Sequence, residues 1–255
     1  MMRRFLVPGF IAVVVLAAPL RAQQPGGPPQ RAENLEVLPK DTPRDTVIAI
    51  MRNISVSLGV RCTYCHVVER DSSGAERPQF ARDDKPAKEK ARAMMRMTSR
   101  INGELLPTVP DRRDPPVNVT CVTCHRTMPV PRTLAQVLDS ALAASGASGT
   151  DSTIALYRRL RANEGTSGRW DFGELTLGDY ARTLATRGRG AEAVALLELN
   201  AEQFPNSAQV DVQLAELYRT RGDKDKAIAR YRMALTKQPN NQQVKRRLAE
   251  LEGTK

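Results

Sequence analysis

Two short stretches of the sequence carry the same reactive pattern, a pair of cysteines and a histidine in the spacing C-x-x-C-H. The two motifs use every cysteine and histidine of the chain: Cys62, Cys65, His66, Cys121, Cys124 and His125. In this spacing both thiols can add to the vinyl groups at one edge of a porphyrin, while the histidine that follows faces the iron. The motifs therefore predict two covalently bound haem c groups with His66 and His125 as proximal ligands.

Other uses of paired cysteines explain the pattern less well. The two C-x-x-C pairs lie farther apart than in a compact zinc ribbon, and a zinc site would leave the repeated histidine without a role. A thioredoxin-like redox pair needs a strand-to-helix context that the sequence does not show. A disulfide between residues three apart would constrain almost nothing. Covalent haem is the favoured interpretation.

A distal ligand for each iron has to come from the residues that remain. With every thiol and histidine in use, the alternatives are methionine, lysine, the terminal amine, water or an open position. Beyond residue 22 the methionines are Met51, Met94, Met95, Met97, Met128 and Met233. Met128 follows its own histidine too closely to reach the opposite face of the ring, and Met233 belongs to a separate repeat described below.

The helix before the first motif places a methionine on an apolar face. Val47, Met51, Ile54 and Leu58 recur at spacings of four, three and four, and Gly59 supplies a helix end. This pattern predicts Met51 as the distal ligand of the first haem. A methionine on such a face more often fills a core, so ordinary packing is the alternative.

The helix before the second motif offers three methionines within about one turn. Met94 lies at the centre of its apolar stripe, whereas Met95 and Met97 point about 100° and 60° away. We therefore predict Met94 as the distal ligand of the second haem, with Met95 and Met97 as alternatives. The parallel arrangement, an amphipathic helix with a methionine before each motif, favours ligation over packing.

The N-terminus has the form of an export signal. Residues 1–22 combine a basic start, an apolar run and a cleavage point after Ala22, which predicts a secretory signal peptide and a periplasmic protein. An uncleaved membrane anchor is the alternative, although the apolar run is short for a spanning helix and contains Pro8 and Gly9. Residues 23–33, rich in Pro, Gly and Gln, are predicted to be a flexible leader.

The chain is basic, with a formal net charge of +11 that falls to +8 without the three arginines of the signal segment. Basic chains often bind nucleic acid, but an exported protein encounters little of it, and no nucleic-acid partner is expected. The charge instead suits a solvated surface and acidic redox partners, including partners at a membrane.

The segment 34–132 holds both motifs, the helix before each, and a polar loop between them. Through "LGVRCTYCH", "ARAMMRMTSRIN" and "VTCVTCHRTMPVP" it resembles the cytochrome c subunit of photosynthetic reaction centres. In that family a helix before each haem motif usually donates the axial methionine, and the resemblance carries this role over to Met51 and Met94. Reaction-centre members carry four haems and one extra histidine ligand, whereas this chain has two motifs and no spare histidine. The resemblance thus implies half of such a cytochrome, without a direct role in photosynthesis.

After Pro131 the character of the sequence changes. Residues 133–150 are predicted as a short helix followed by a linker, and 151–255 contain an internal repeat typical of tetratricopeptide proteins. The sharper copy has Leu214, Ala215, Tyr218, Gly222, Ala227, Tyr231, Ala234 and Pro239 at its signature positions. The equivalent positions one repeat earlier are Tyr180, Ala181, Leu184, Gly188, Ala193, Leu197, Asn200 and Pro205. Docking of a protein partner and simple stabilisation are both open as roles for this module.

The sequence thus predicts an all-α fold, a multihaem c-type cytochrome domain followed by a short tetratricopeptide-like helical repeat domain. The predicted function is outer-sphere electron transfer rather than catalysis. The first alternative is a dihaem peroxidase, but it needs an iron open to substrate and a distal acid or base, and no histidine is left for that role. The second alternative is a haem-based redox sensor.

Overall fold

The computed structural model describes residues 31–146 and 149–253. The predicted signal peptide and most of the predicted leader lie outside these residues. Among the helices of the described ranges, none combines the length and the apolar character that crossing a membrane requires.

Helices make up most of the described chain, and the predicted all-α class is confirmed. The cytochrome-like segment contains α1 (Arg44–Leu58), β1 (Val67–Arg70), β2 (Glu76–Gln79), α2 (Pro86–Arg100) and α3 (Cys121–His125). The remainder contains α4 (Leu134–Ala144), α5 (Gly149–Glu164), α6 (Glu174–Thr186), α7 (Gly190–Gln203), α8 (Ala208–Thr220), α9 (Lys224–Lys237) and α10 (Gln242–Glu252).

Helix α1 forms as its periodicity predicts. Val47 is buried, and Met51 and Ile54 lie partly buried on the same face. The helix ends at Gly59, whose φ of 66° is the left-handed conformation that glycine adopts without a steric cost. The N–H of Val60 then donates to Ser55 O at 3.0 Å, so the chain turns directly into the first motif.

The polar stretch after the first motif is an antiparallel β-ribbon rather than the predicted loop. Val67 pairs with Gln79, and Arg70 pairs with Glu76. The tip is closed by Asp71, whose Oδ1 accepts the N–H groups of Ser73 and Ala75. The strands have four residues each, and β1 pairs two valines with two charged residues, so they lack the alternation of apolar and polar residues that identifies a strand in sequence.

Helix α2 buries an arginine rather than the predicted methionine. The Arg92 side chain is 7% exposed and forms ion pairs with Glu36 at 3.1 Å and with Asp83 at 3.0 Å. It also pairs with Glu89 one turn earlier. A buried charge is costly unless it is paired. Because three carboxylates pair with Arg92, this arginine can occupy the buried face of α2, where the apolar pattern predicts Met94.

The short helix predicted at the start of 133–150 is present as α4, and it packs into the same core as the repeat helices. Helix α4 buries Leu134, Leu138 and Leu142 against the repeats. Gly149, in the first turn of α5, packs so closely on α4 that a Cβ there would lie 2.7 Å from Leu142 O. Helices α4 and α5 therefore form a helix pair of their own ahead of the repeats.

The two predicted repeats form the helix pairs α6–α7 and α8–α9. Each pair turns at a glycine with positive φ, 78° at Gly188 and 83° at Gly222. The residue after each glycine donates its N–H to a carbonyl of the preceding helix, Arg189 to Leu184 O and Asp223 to Tyr218 O, both at 2.9 Å. Helix α10 covers the last pair with buried Val244, as expected for a terminal capping helix.

Candidate haem-binding sites

The first motif lies between the end of α1 and the β-ribbon. Cys62 opens a single 3-10 turn, in which its carbonyl accepts the N–H of Cys65 at 3.2 Å and of His66 at 3.0 Å. These bonds place both sulfur-bearing residues and the histidine around one turn of backbone. The Phe80 ring then packs edge-on against the His66 ring, with centroids 5.1 Å apart.

A cavity of about 580 Å³ opens beside this motif and brings the predicted ligands together. Its lining includes Cys62, Cys65, His66 and Met51. Met95 of α2 also lines it, which the sequence prediction did not assign to this site. A methionine from each of two helices therefore shares a cavity with the first histidine, and the volume lies within the usual range for small-molecule and cofactor sites.

The protonation state of this motif suits a metal-binding histidine. Burial lowers the pKa of His66, and the nearby positive charge of Lys88 acts in the same direction. The imidazole is therefore neutral at pH 7 and carries a free lone pair, the form in which histidine binds a metal. Its Nδ1 is buried without a hydrogen-bond partner among the described residues.

The second motif is helix α3 itself. The Thr120 N–H donates to Thr123 Oγ1 at 3.0 Å, which fixes the start of the helix. Upstream, Asn102 exchanges two hydrogen bonds with the backbone of Val119, at 2.7 and 2.8 Å, and so ties the approach to the end of α2. These contacts tie the start of α3 to the π-helical turn Ile101–Leu105, which directly follows α2.

The His125 ring is oriented by the backbone that follows it. Its Nδ1 lies 2.8 Å from the carbonyl oxygen of Met128. A carbonyl only accepts, so Nδ1 carries the proton and Nε2 keeps its lone pair for a metal. Sequence reasoning excluded Met128 as an iron ligand but did not identify this role of its backbone, because no side-chain pattern reports it.

The other predicted distal ligand occupies a different environment. Met94 is 46% exposed on α2, and Met97 on the same side of the helix is 51% exposed. Neither residue lines the His66 cavity. Where the structure describes the chain, a second cavity of about 690 Å³ is lined by Cys124 and several arginines but by no methionine. The structure thus brings Met51 into a cavity that it shares with the first histidine.

The residues of both motifs fit covalent haem. All four cysteines are free thiols, each histidine has a ring nitrogen available for iron, and the first motif adjoins a cavity of suitable size. The motif spacing on a single turn lets both thiols of each pair reach the same porphyrin edge. A disulfide or closed zinc site would instead require the thiols to face one another or to converge on a common point.

Comparison with known proteins supports the same interpretation. Residues 72–154 match the family described as photosynthetic reaction centre cytochrome C subunit, and residues 208–251 match the tetratricopeptide repeat. The predicted resemblance is confirmed. A further match is to cytochrome c-554 of Chloroflexus aurantiacus, at 34% identity over 76 residues, which is 30% of this chain and 16% of that protein. The chain thus spans a small part of this relative.

These matches differ in extent from the predicted resemblance. The cytochrome match begins after the first motif and continues through α4, so it contains Cys121, Cys124 and His125 but not His66. It nevertheless indicates similarity to c-type cytochromes, a class that binds haem c covalently. The repeat match covers α8 to α10, the sharper of the two predicted copies.

Proposed function

We propose that this protein is an exported dihaem c-type cytochrome that transfers electrons by an outer-sphere mechanism. The observation that carries the proposal is the cavity at the first motif, where Cys62, Cys65, His66 and Met51 lie together. The second motif repeats the same cysteines and histidine on one helix, with its histidine already oriented. Bound haem would supply a one-electron iron couple, and methionine ligation raises its potential relative to two imidazoles.

The roles of the residues follow from their chemistry. Cys62 and Cys65 would hold one haem through thioethers, and Cys121 and Cys124 would hold the other. His66 and His125 would be the proximal ligands, each presenting one ring nitrogen to the iron.

Met51 is the proposed distal ligand at the first site, and Met94 at the second. Met51 extends from the inner face of α1 into the His66 cavity. Met95 lines that cavity as well and is therefore the competitor of Met51. Met94 is proposed for the second site because it lies on the helix before that motif and outside the first cavity, with Met97 as its competitor on the same side.

A spectroscopic experiment tests the ligands. The full-length protein, matured with haem, would be examined in the ferric state for the near-infrared methionine-to-iron charge-transfer band. Met51→Ala and Met94→Ala should each remove roughly half of this absorbance, because each removes the thioether from one of two irons. Met95→Ala and Met97→Ala should leave it intact. Met233→Ala, in the repeat domain, is the matched control.

Two outcomes would contradict the proposal at different levels. Loss of the band in Met95→Ala, with Met51→Ala unaffected, would reassign the first ligand but leave electron transfer in place. A high-spin ferric spectrum in the wild type, together with rapid reaction with hydrogen peroxide, would overturn the carrier function in favour of a peroxidase-like enzyme.

The repeat domain is proposed to dock protein partners in addition to stabilising the cytochrome segment. The proposed partners are redox proteins, including membrane-associated ones, in the compartment outside the cytoplasmic membrane. The basic charge of the chain supports an acidic partner surface. Capture of a redox partner by the full chain, lost on replacing residues on the exposed faces of α6 and α8, would support docking through this domain.

A further inference from the structure

The turn after the second motif is strained. Arg126 and Thr127 have φ values of 47° and 64°, so two consecutive residues with side chains adopt the left-handed conformation. This conformation is uncommon for any residue other than glycine and is least tolerated by a β-branched residue such as threonine. Such backbone persists only where the surrounding structure determines it from several sides.

Contacts from two other parts of the molecule hold this turn. From α1, Ser57 O accepts the Thr127 N–H at 2.8 Å. From the loop between α5 and α6, Arg169 donates to Thr127 Oγ1 through Nε at 3.0 Å and through Nη2 at 2.7 Å. The repeat domain therefore holds the side chain of Thr127, two residues after the second haem motif, with two N–H donors of one charged group.

Arg169 is itself fixed before it reaches Thr127. Its Nη1 donates to Glu164 Oε2 at 3.0 Å, and the same oxygen accepts the indole N–H of Trp170 at 2.7 Å. The Arg169 N–H also donates to Ser167 Oγ at 3.2 Å. The guanidinium is consequently presented to Thr127 by a preorganised loop rather than by a freely moving side chain.

The held turn supplies the carbonyl that orients the second proximal histidine. Met128, the residue after Thr127, accepts the hydrogen bond from His125 Nδ1. We propose that Arg169 of the repeat domain is a positioning residue for His125 and thereby sets the redox potential of the second haem. This inference rests on the proposed function, because it requires haem at that motif.

The direction of the effect follows from the hydrogen bond. A carbonyl that accepts from Nδ1 increases the basicity of the other ring nitrogen, which stabilises ferric iron and lowers the potential. Releasing the turn weakens this bond and should raise the potential of the second haem. The Nδ1 of His66 has no hydrogen-bond partner among the described residues, so the first haem lacks the contact made by His125 Nδ1 and serves as an internal reference.

Two substitutions test the contact without removing a charge. Thr127→Val keeps the β-branched shape but removes the hydroxyl that accepts from Arg169. Arg169→Lys keeps the positive charge but loses the paired N–H donors. Removing the charge altogether would be less informative, because loss of a cation near the iron lowers the potential and opposes the expected change. Arg158→Lys, in an exposed ion pair with Glu202 on the same domain, is the control.

A potentiometric titration of the dihaem protein measures the two midpoint potentials. NMR measures the rate of hydrogen exchange at the His125 ring N–H. In both test variants we expect one of the two potentials to rise, the other to stay, and the ring proton to exchange faster. The Arg158→Lys control should match the wild type.

The inference is overturned if both variants carry two haems and keep both wild-type potentials, or if the two potentials move together. In either case the proposed function stands, because haem content is measured separately by mass. Wild-type protein that matures without haem would overturn the proposed function as well.

Discussion

At the scale of single residues, Gly59 is required for two separate reasons. Its positive φ ends α1, and its lack of a side chain leaves room for the backbone of Thr127, in the turn after the second motif. A Cβ at this position would lie 2.3 Å from Thr127 O, far inside contact distance. The sequence predicts the first reason from the position of a glycine after an apolar stripe, but the second depends on a residue 68 positions away and is visible only in the fold.

Gly59→Ala should therefore destabilise the protein more than Gly→Ala at a position where only the positive φ disfavours a side chain. Gly188→Ala is the matched control, because Gly188 also has positive φ but nothing within 4 Å of an added Cβ. The control should lower the free energy of unfolding by about 1–2 kcal/mol, and Gly59→Ala by more. Urea unfolding measures both. Equal losses would show that the close approach to Thr127 does not matter.

The methionines show where residue-level prediction succeeds and where it stops. Met51 lies on the cavity face of α1, as its spacing with Val47 and Ile54 predicts. On α2 the same reasoning places Met94 inwards, yet Arg92 takes the buried position and Met95 lines the cavity. The difference arises because the carboxylates of Glu36 and Asp83 come from outside the helix, and a helical pattern contains no information about them.

At the scale of elements, helix α4 packs with the helices that follow it rather than with the cytochrome-like segment. The sequence predicts its helical form, because Leu134, Leu138 and Leu142 recur every four residues. The sequence does not predict which helix packs against α4, because an apolar stripe shows only that some neighbour covers that face. The structure packs this stripe on α5 and α6, so α4 continues the stack of helix pairs.

Leu138→Ala tests this role of α4. Leu138 is fully buried, and removing such a side chain from a core lowers the free energy of unfolding by about 2–5 kcal/mol. The control is Leu175→Ala on α6, where the side chain is 61% exposed and the expected change is within about 0.5 kcal/mol. Far-UV circular dichroism during urea unfolding reports both. If Leu138→Ala changes the free energy of unfolding no more than Leu175→Ala does, α4 does not contribute to the core of the repeat domain.

At the scale of the whole molecule, tyrosine hydroxyls connect the helices of the repeat domain. Tyr180 of α6 donates to Asp139 of α4 at 3.1 Å, and Tyr218 of α8 donates to Glu198 of α7 at 2.7 Å. Burial raises the pKa of Tyr218 to about 12, and the Glu198 carboxylate acts in the same direction. Burial likewise raises the pKa of Tyr231. The Tyr231 hydroxyl donates to the Glu216 carboxylate of α8. Each of these phenols must stay protonated to donate its hydrogen bond.

This arrangement predicts a loss of stability in alkaline solution. A folded-state pKa above the unfolded value of 10.0 contributes stability that is complete below pH 10 and is lost as the pH rises towards 12. Urea unfolding between pH 8 and about 12 should show this decline. Tyr231→Phe removes one such phenol, so it should be less stable at pH 8 but decline less steeply. Parallel declines in the two proteins would contradict the prediction.

The sequence by itself determined the class of the fold and suggested the haem chemistry that we propose for this protein. The two C-x-x-C-H motifs, the lack of any further histidine or cysteine to serve as a distal ligand, and the repeat are all patterns of residue type and spacing. The tertiary structure decided which side chains share a site: Met95 with His66, Gly59 with Thr127, and Arg169 with the turn behind His125. Those pairings depend on packing between segments far apart in the chain, and local periodicity cannot encode the identity of a distant neighbour.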